Sequence, residues 1–136
     1  MRTDLSVSLL HMLNITFFVV HSALMLFNLT GWMFPRTRRL HLACVAATLS
    51  SWVVMGWFRG FGYCLCTDWH FQIRRQLNLP VVGHTYLQLL TDVWLGINIT
   101  RLTSDVLTAG GFLIVLVITL YVWIRPLRPS PRPPES

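Results

Sequence analysis

The densest chemistry in the chain lies in GFGYCLCTDWH, residues 60–70, where Cys64, Cys66, Asp68 and His70 fall at every second position. In an extended strand alternate residues face the same side, so all four could converge on one ion. Thiolate and imidazole suit zinc, and a carboxylate can complete a four-coordinate shell. The spacing is unusual for zinc, whose sites commonly use C-x-x-C so that a turn delivers both sulfurs to the ion. Two other readings use the same residues. A Cys64–Cys66 disulfide would bridge a separation at the edge of the allowed range, and strained disulfides are the reducible, often catalytic ones. The residues could instead be structural, with Asp68 capping a helix that begins at Trp69 and His70 anchored at headgroup level.

A second set of polar residues sits inside apolar stretches. His11, Asn14, His21 and Asn28 recur at intervals of three, seven and seven. Seven residues are close to two helical turns, so these side chains share one stripe. His41, Cys44, Thr48 and Ser51 follow intervals of three, four and three and form another. Ser104, Thr108 and Gly111 offer a third face of small residues, which lets helices approach closely. The three faces are expected to meet. Hydrogen bonding between them can serve packing alone, or it can build a ligand or proton site, since intramembrane His and Asn are functional candidates. A haem between two axial histidines is disfavoured, because His21 sits near the middle of its segment and His41 near the end of its own.

The elements that must position these residues follow from hydropathy. A membrane span needs about 20 mostly apolar residues. Three stretches qualify: about Leu5 to Leu29, Leu40 to Phe58 and Leu107 to Ile124. The first two are joined by TGWMFPRTRR, where Pro35 stops the helix and three arginines stay in water, so they form an antiparallel hairpin. Residues 59–104 carry scattered charge and no convincing span. Trp69, Ile73 and Leu77 form one apolar stripe, and Tyr86, Leu90, Val93 and Ile97 another. These predict amphipathic helices over 69–79 and 84–97, lying at the membrane interface or against the bundle. A shallow fourth span over 81–97 is the alternative. Beyond Ile124, RPLRPSPRPPES is too rich in proline for a helix and reads as a disordered basic tail. The domain organisation is thus one membrane helical domain, 1–124, followed by the tail, 125–136.

Composition fixes the class. Of 136 residues 54% are hydrophobic and only 12% charged, about half the charge of a typical soluble domain. Disorder needs the opposite balance. The net charge of +6 comes from arginine, with no lysine, and no basic helix face or nucleic-acid motif accompanies it, so nucleic acid is not an expected partner. The lipid bilayer is, together with a second membrane protein. Arginines flanking the spans set orientation: Arg36, Arg38, Arg39, Arg125, Arg128 and Arg132 share one side, which places the N-terminus outward and the tail in the cytoplasm. Trp32, Trp52, Trp57 and Trp123 fit interfacial anchors. The first apolar stretch is too long for a signal peptide and has no A-x-A site after it. Asn14, Asn28 and Asn98 start Asn-x-Thr triplets, a pattern that arises often by chance.

The run GWFRGFGYCLCTDWHFQIRRQLN resembles the signature of a family of small bacterial multi-pass membrane proteins known as domain of unknown function twenty-seven eighty-four. The matching residues are Gly62, Tyr63, Cys64, Thr67, Asp68, Trp69 and His70. Leu65 stands where the family usually has proline. The likeness continues through FNLTGWMFPRTRRLHLACVAATLSSW upstream and LPVVGHTYLQLLTDVWLG downstream. It implies the membrane class and a helical fold, and it brings no activity. The expected fold is an all-α integral membrane bundle of three transmembrane helices plus one or two amphipathic helices. No nucleophile–base motif, nucleotide loop or catalytic carboxylate pair is visible, so the expected function is a non-enzymatic accessory or scaffold with no cofactor. The alternative is a redox or zinc-binding protein using Cys64, Cys66, Asp68 and His70.

Overall fold

A computed structural model describes residues 2–59 and 64–125, with the side chains of residues 2–5 and Arg59 left aside. Gly60 and Gly62, where the sequence allows a sharp turn, and the tail beyond Arg125 lie outside these residues. The described residues are all-α. Helix α1 spans Arg2–Thr30, α2 Arg38–Arg59, α3 Leu65–Gln76, α4 Tyr86–Leu95 and α5 Arg101–Ile124, with a 3-10 turn at Gly31–Met33 after α1. Three of them, α1, α2 and α5, contain stretches long and apolar enough to cross a membrane. Each bares large apolar side chains, among them Leu9, Ile15 and Val19 on α1, Val53 and Val54 on α2, and Leu113, Ile114 and Val117 on α5. An apolar exterior of that extent belongs against lipid. The chain is a helical membrane protein.

The α1–α2 connection is tight because Gly31 has no side chain. A Cβ there would lie 2.7 Å from His41 Cδ2. The His41 Nε2–H instead donates to the Asn28 carbonyl at 2.8 Å, and the Thr37 hydroxyl closes the turn onto the Gly31 carbonyl at 2.8 Å. These bonds satisfy carbonyls at the end of α1 that the helix itself leaves without partners.

Helix α3 starts four residues earlier than the Trp69 start read from the sequence. The reason is its cap. Cys64, not Asp68, is the N-cap residue, and its sulfur accepts the Thr67 N–H. Helix α4 opens on a capping box of Thr85 and Gln88 and closes on Gly96, whose left-handed φ of 63° turns the chain out. With ten residues α4 is about 15 Å long, half the bilayer core, so it is not a fourth span. Helix α5 begins at Arg101, six residues before the apolar run, because the Thr100 hydroxyl caps it by accepting the Thr103 N–H at 3.2 Å. A buried contact between the Thr85 and Ser104 hydroxyls ties α4 to α5. Phe18, Phe71, Tyr86 and Leu89 form the apolar core that joins α1, α3 and α4. Trp52 is not an interfacial anchor: it is buried, 4.7 Å ring to ring from Phe112 of α5.

Candidate functional site

The polar stripes of α1 and α2 do meet. Asn28 Nδ2 donates to Thr48 Oγ1 at 3.1 Å, and Thr48 in turn donates to the Cys44 carbonyl at 2.9 Å. His41 reaches the Asn28 carbonyl as described. The upper half of the α1 stripe, however, faces α3 and not α2. Asn14 Oδ1 accepts from His70 Nε2 at 3.0 Å, and His21 Nε2 lies 3.6 Å from Cys64 Sγ. Ser51 of α2 accepts the Leu65 N–H at 3.0 Å. His11 is exposed, apart from this set.

These contacts fix where α3 lies. Its N-terminus sits beside His21 and Ser51, and by His70 it has moved toward Asn14, back along α1 in the direction of its start. His21 is fifteen residues past Ser6 and twelve before Met33, roughly 22 Å and 18 Å at 1.5 Å per residue. Helix α3 therefore begins inside the bundle, near the middle of α1. Cys64, Asp68 and His70 do not gather with His11 at one surface site: Cys64 faces His21, His70 faces Asn14, and His11 stands apart from them. The polar groups of α1 and α2 are partners that draw the start of α3 inward.

The four-residue alternation is also reshaped. Positions two apart in a helix diverge by about 200°. Cys64 turns to His21, His70 to Asn14, and Asp68 accepts from Gln72 Nε2 at 2.7 Å. Among the described residues no group of three or more His, Cys, Asp or Glu is arranged to hold a metal ion. The three cysteines are not bridged.

What converges instead is a set of polar groups on one sulfur. Cys64 Sγ meets the Thr67 N–H at 3.4 Å, Thr67 Oγ1 at 2.9 Å and His21 Nε2 at 3.6 Å. The His21 ring is stacked on Tyr86 at 3.8 Å. Tyr86 is itself held, its hydroxyl donating to the Phe18 carbonyl at 3.0 Å with Ser22 Oγ also 3.0 Å away. His70 is fully buried, edge-on to Phe18 at 4.5 Å. Its Nε2–H is spent on Asn14, and its Nδ1 has no partner among the described residues. Burial first, then the nearby Arg74 guanidinium, pushes its imidazole down to about 4, which matches an Nδ1 that carries no proton. Arg74 is buried too, and its Nε and Nη2 both donate to the Pro80 carbonyl, at 3.1 and 2.8 Å.

Below Cys64 opens a cavity of about 380 Å³ between α1, α2, α5 and the starts of α3 and α4. Its walls are mainly apolar, from Leu24, Met25, Trp52, Leu107, Phe112 and Val115. His21, Asn28, Thr48, Cys64, Cys66 and Tyr86 supply a few polar atoms. Gly111 borders its open space, since a Cβ there would meet nothing within 4 Å. Of the residues expected from sequence, His21, Asn28, Thr48, Ser51, Cys64 and Cys66 line this cavity, while Asn14, His41, Asp68 and His70 do not. Thr67, Thr85 and Tyr86 were missed as site residues. The Thr85-x-x-Gln88 capping box was legible, but nothing in sequence links Tyr86 to His21.

A helical membrane protein with a half-buried helix start and an apolar cavity is the class that fold and site define. The family description "Protein of Unknown function (DUF2784)" matches residues 11–125, and the chain belongs to that family. No curated protein and no solved structure matches it.

Proposed function

We propose that this chain is a multi-pass protein of the cell membrane that binds a small lipid-soluble molecule inside its bundle. The cavity carries this reading. Its volume lies in the range of small-molecule sites, and walls that are mostly apolar with a few convergent polar groups are what such sites have. An accessory or scaffold role would use the outer faces and does not call for a mainly apolar pocket among the helices. The favoured ligand has an apolar chain or ring and one polar end, which His21 and Tyr86 would meet. Exposed Arg36, Arg39 and Arg125 at the loop and tail ends support an orientation with those ends cytoplasmic and the N-terminus outward.

The test uses Trp52 in the cavity wall as reporter. A spin-labelled stearic acid titrated into the purified protein in detergent should quench fluorescence saturably. The saturable component should vanish in Trp52→Phe and weaken in Gly111→Phe, which fills the void. Quenching that never saturates, or that survives Trp52→Phe unchanged, rejects the reading.

A further inference from the structure

Resting on that reading, we propose that Cys64 is a nucleophile that takes a long-chain acyl group into a thioester, with His21 as its base. The two residues stand 43 positions apart in sequence, yet the fold brings Sγ and Nε2 to 3.6 Å at the wall of an apolar cavity. A thiol with an imidazole at that distance has the arrangement of an activated cysteine, in which apo contacts are commonly somewhat long. The sulfur is also the N-cap of α3, where the Thr67 N–H donates to it and the Thr67 hydroxyl lies 2.9 Å away, which fixes its position beside His21. His21 is over nine-tenths buried, its Nδ1 has no partner among the described residues, and its ring is held flat on Tyr86. None of this is needed to close a helix, because serine or threonine caps as well without a histidine.

The co-reactant is a long-chain acyl thioester. The Cys64 thiol gives its proton to His21 Nε2, and the sulfur lone pair forms a bond to the acyl carbonyl carbon. The tetrahedral adduct collapses by breaking the carbon–sulfur bond to the leaving thiolate, which takes the proton back from His21. One thioester is exchanged for another, with no oxidation or reduction. The cavity supplies the room for the chain, and its mainly apolar walls favour long chains over short ones by burial of methylenes. Thr67 and Tyr86 are positioning residues that hold the sulfur and the imidazole.

The experiment incubates the purified full chain in detergent with palmitoyl coenzyme A and reads hydroxylamine-sensitive mass addition by intact and peptide mass spectrometry. One acyl group should appear on Cys64, ahead of Cys44 and Cys66. Cys64→Ser should abolish it while keeping the cap. His21→Gln should slow it by about a hundredfold, with the thermal midpoint checked alongside. Gly111→Phe should lower the ratio of palmitoyl to acetyl transfer without touching Cys64 or His21. Equal labelling of the three cysteines, or a rate unchanged by His21→Gln, overturns the inference. The same wild-type preparation is titrated with the spin-labelled stearic acid. Saturable quenching without a Cys64 thioester overturns this inference and leaves the binding reading standing, whereas loss of both removes the two together.

Discussion

At the scale of the residue, His70 shows how a single buried proton site shapes the protein's response to acid. Its usual value is near 6.5 and its folded value about 4, so the unfolded chain takes up a proton first as pH falls. The stability it contributes is present above pH 6.5 and is lost toward pH 4, at up to about 1.4 kcal/mol per pH unit. Thermal midpoints in detergent should fall across that window, and His70→Gln, whose amide can still donate to Asn14, should flatten the decline. Asn14→Leu leaves the buried His70 N–H without its acceptor and should cost about 1–3 kcal/mol at neutral pH. A midpoint within error of wild type would show that the pair is dispensable. Cys64 offers a cleaner contrast. Serine should cap α3 as well as cysteine does, while Cys64→Ala should cost about 1 kcal/mol. Sequence placed Asn14, His21 and Cys64 among the polar residues that matter but paired none of them correctly. Periodicity reports which side of one helix a residue faces, and carries no information about which of several neighbours faces it.

At the scale of the element, helix existence was legible and helix starts were not. The three long helices and the two short ones follow from hydropathy and apolar stripes. The starts of α3 and α5 moved upstream because Cys64 and Thr100 cap them, and an N-cap outweighs the position of the first apolar residue. The strand geometry behind the four-residue zinc expectation gave way for the same reason, since a capped turn at Cys64 commits the following residues to helix. Two substitutions probe element joints. Thr85→Ala removes both the α4 cap and the contact to Ser104, and should lower stability by about 1–2 kcal/mol, with Thr85→Ser restoring much of it. Gly31→Ala should be worse than its size suggests. Its methyl would meet the buried His41 ring at 2.7 Å and push it off the Asn28 carbonyl. A Gly31→Ala protein as stable as wild type would mean the hairpin tolerates a wider turn.

At the scale of the whole molecule, the membrane class was readable from composition alone, because 12% charge cannot solvate a surface of this size. The cavity was not readable. It lies between α1, α2, α5 and the starts of α3 and α4, and no single segment encodes a gap between others. Orientation can be settled with single cysteines in a background lacking Cys44, Cys64 and Cys66. Phe34→Cys, in the α1–α2 turn, and Asn98→Cys, before α5, should react with a membrane-impermeant maleimide from opposite faces of intact cells, Asn98→Cys from outside. Labelling of both from one face would contradict three crossings.

The double attachment of α3 has a mechanical consequence. A rod pinned at one point swings, and a rod pinned at two can only spin about its own length. Helix α3 is pinned at Cys64 and at His70, six residues or about 9 Å apart, and the bond from Leu65 to Ser51 on a third body resists the spin. Cutting the upper pin at Asn14 would leave the far end held by Phe71 in the core and by Arg74 on the Pro80 carbonyl, while Cys64, Cys66 and Thr67 kept their places at the cavity.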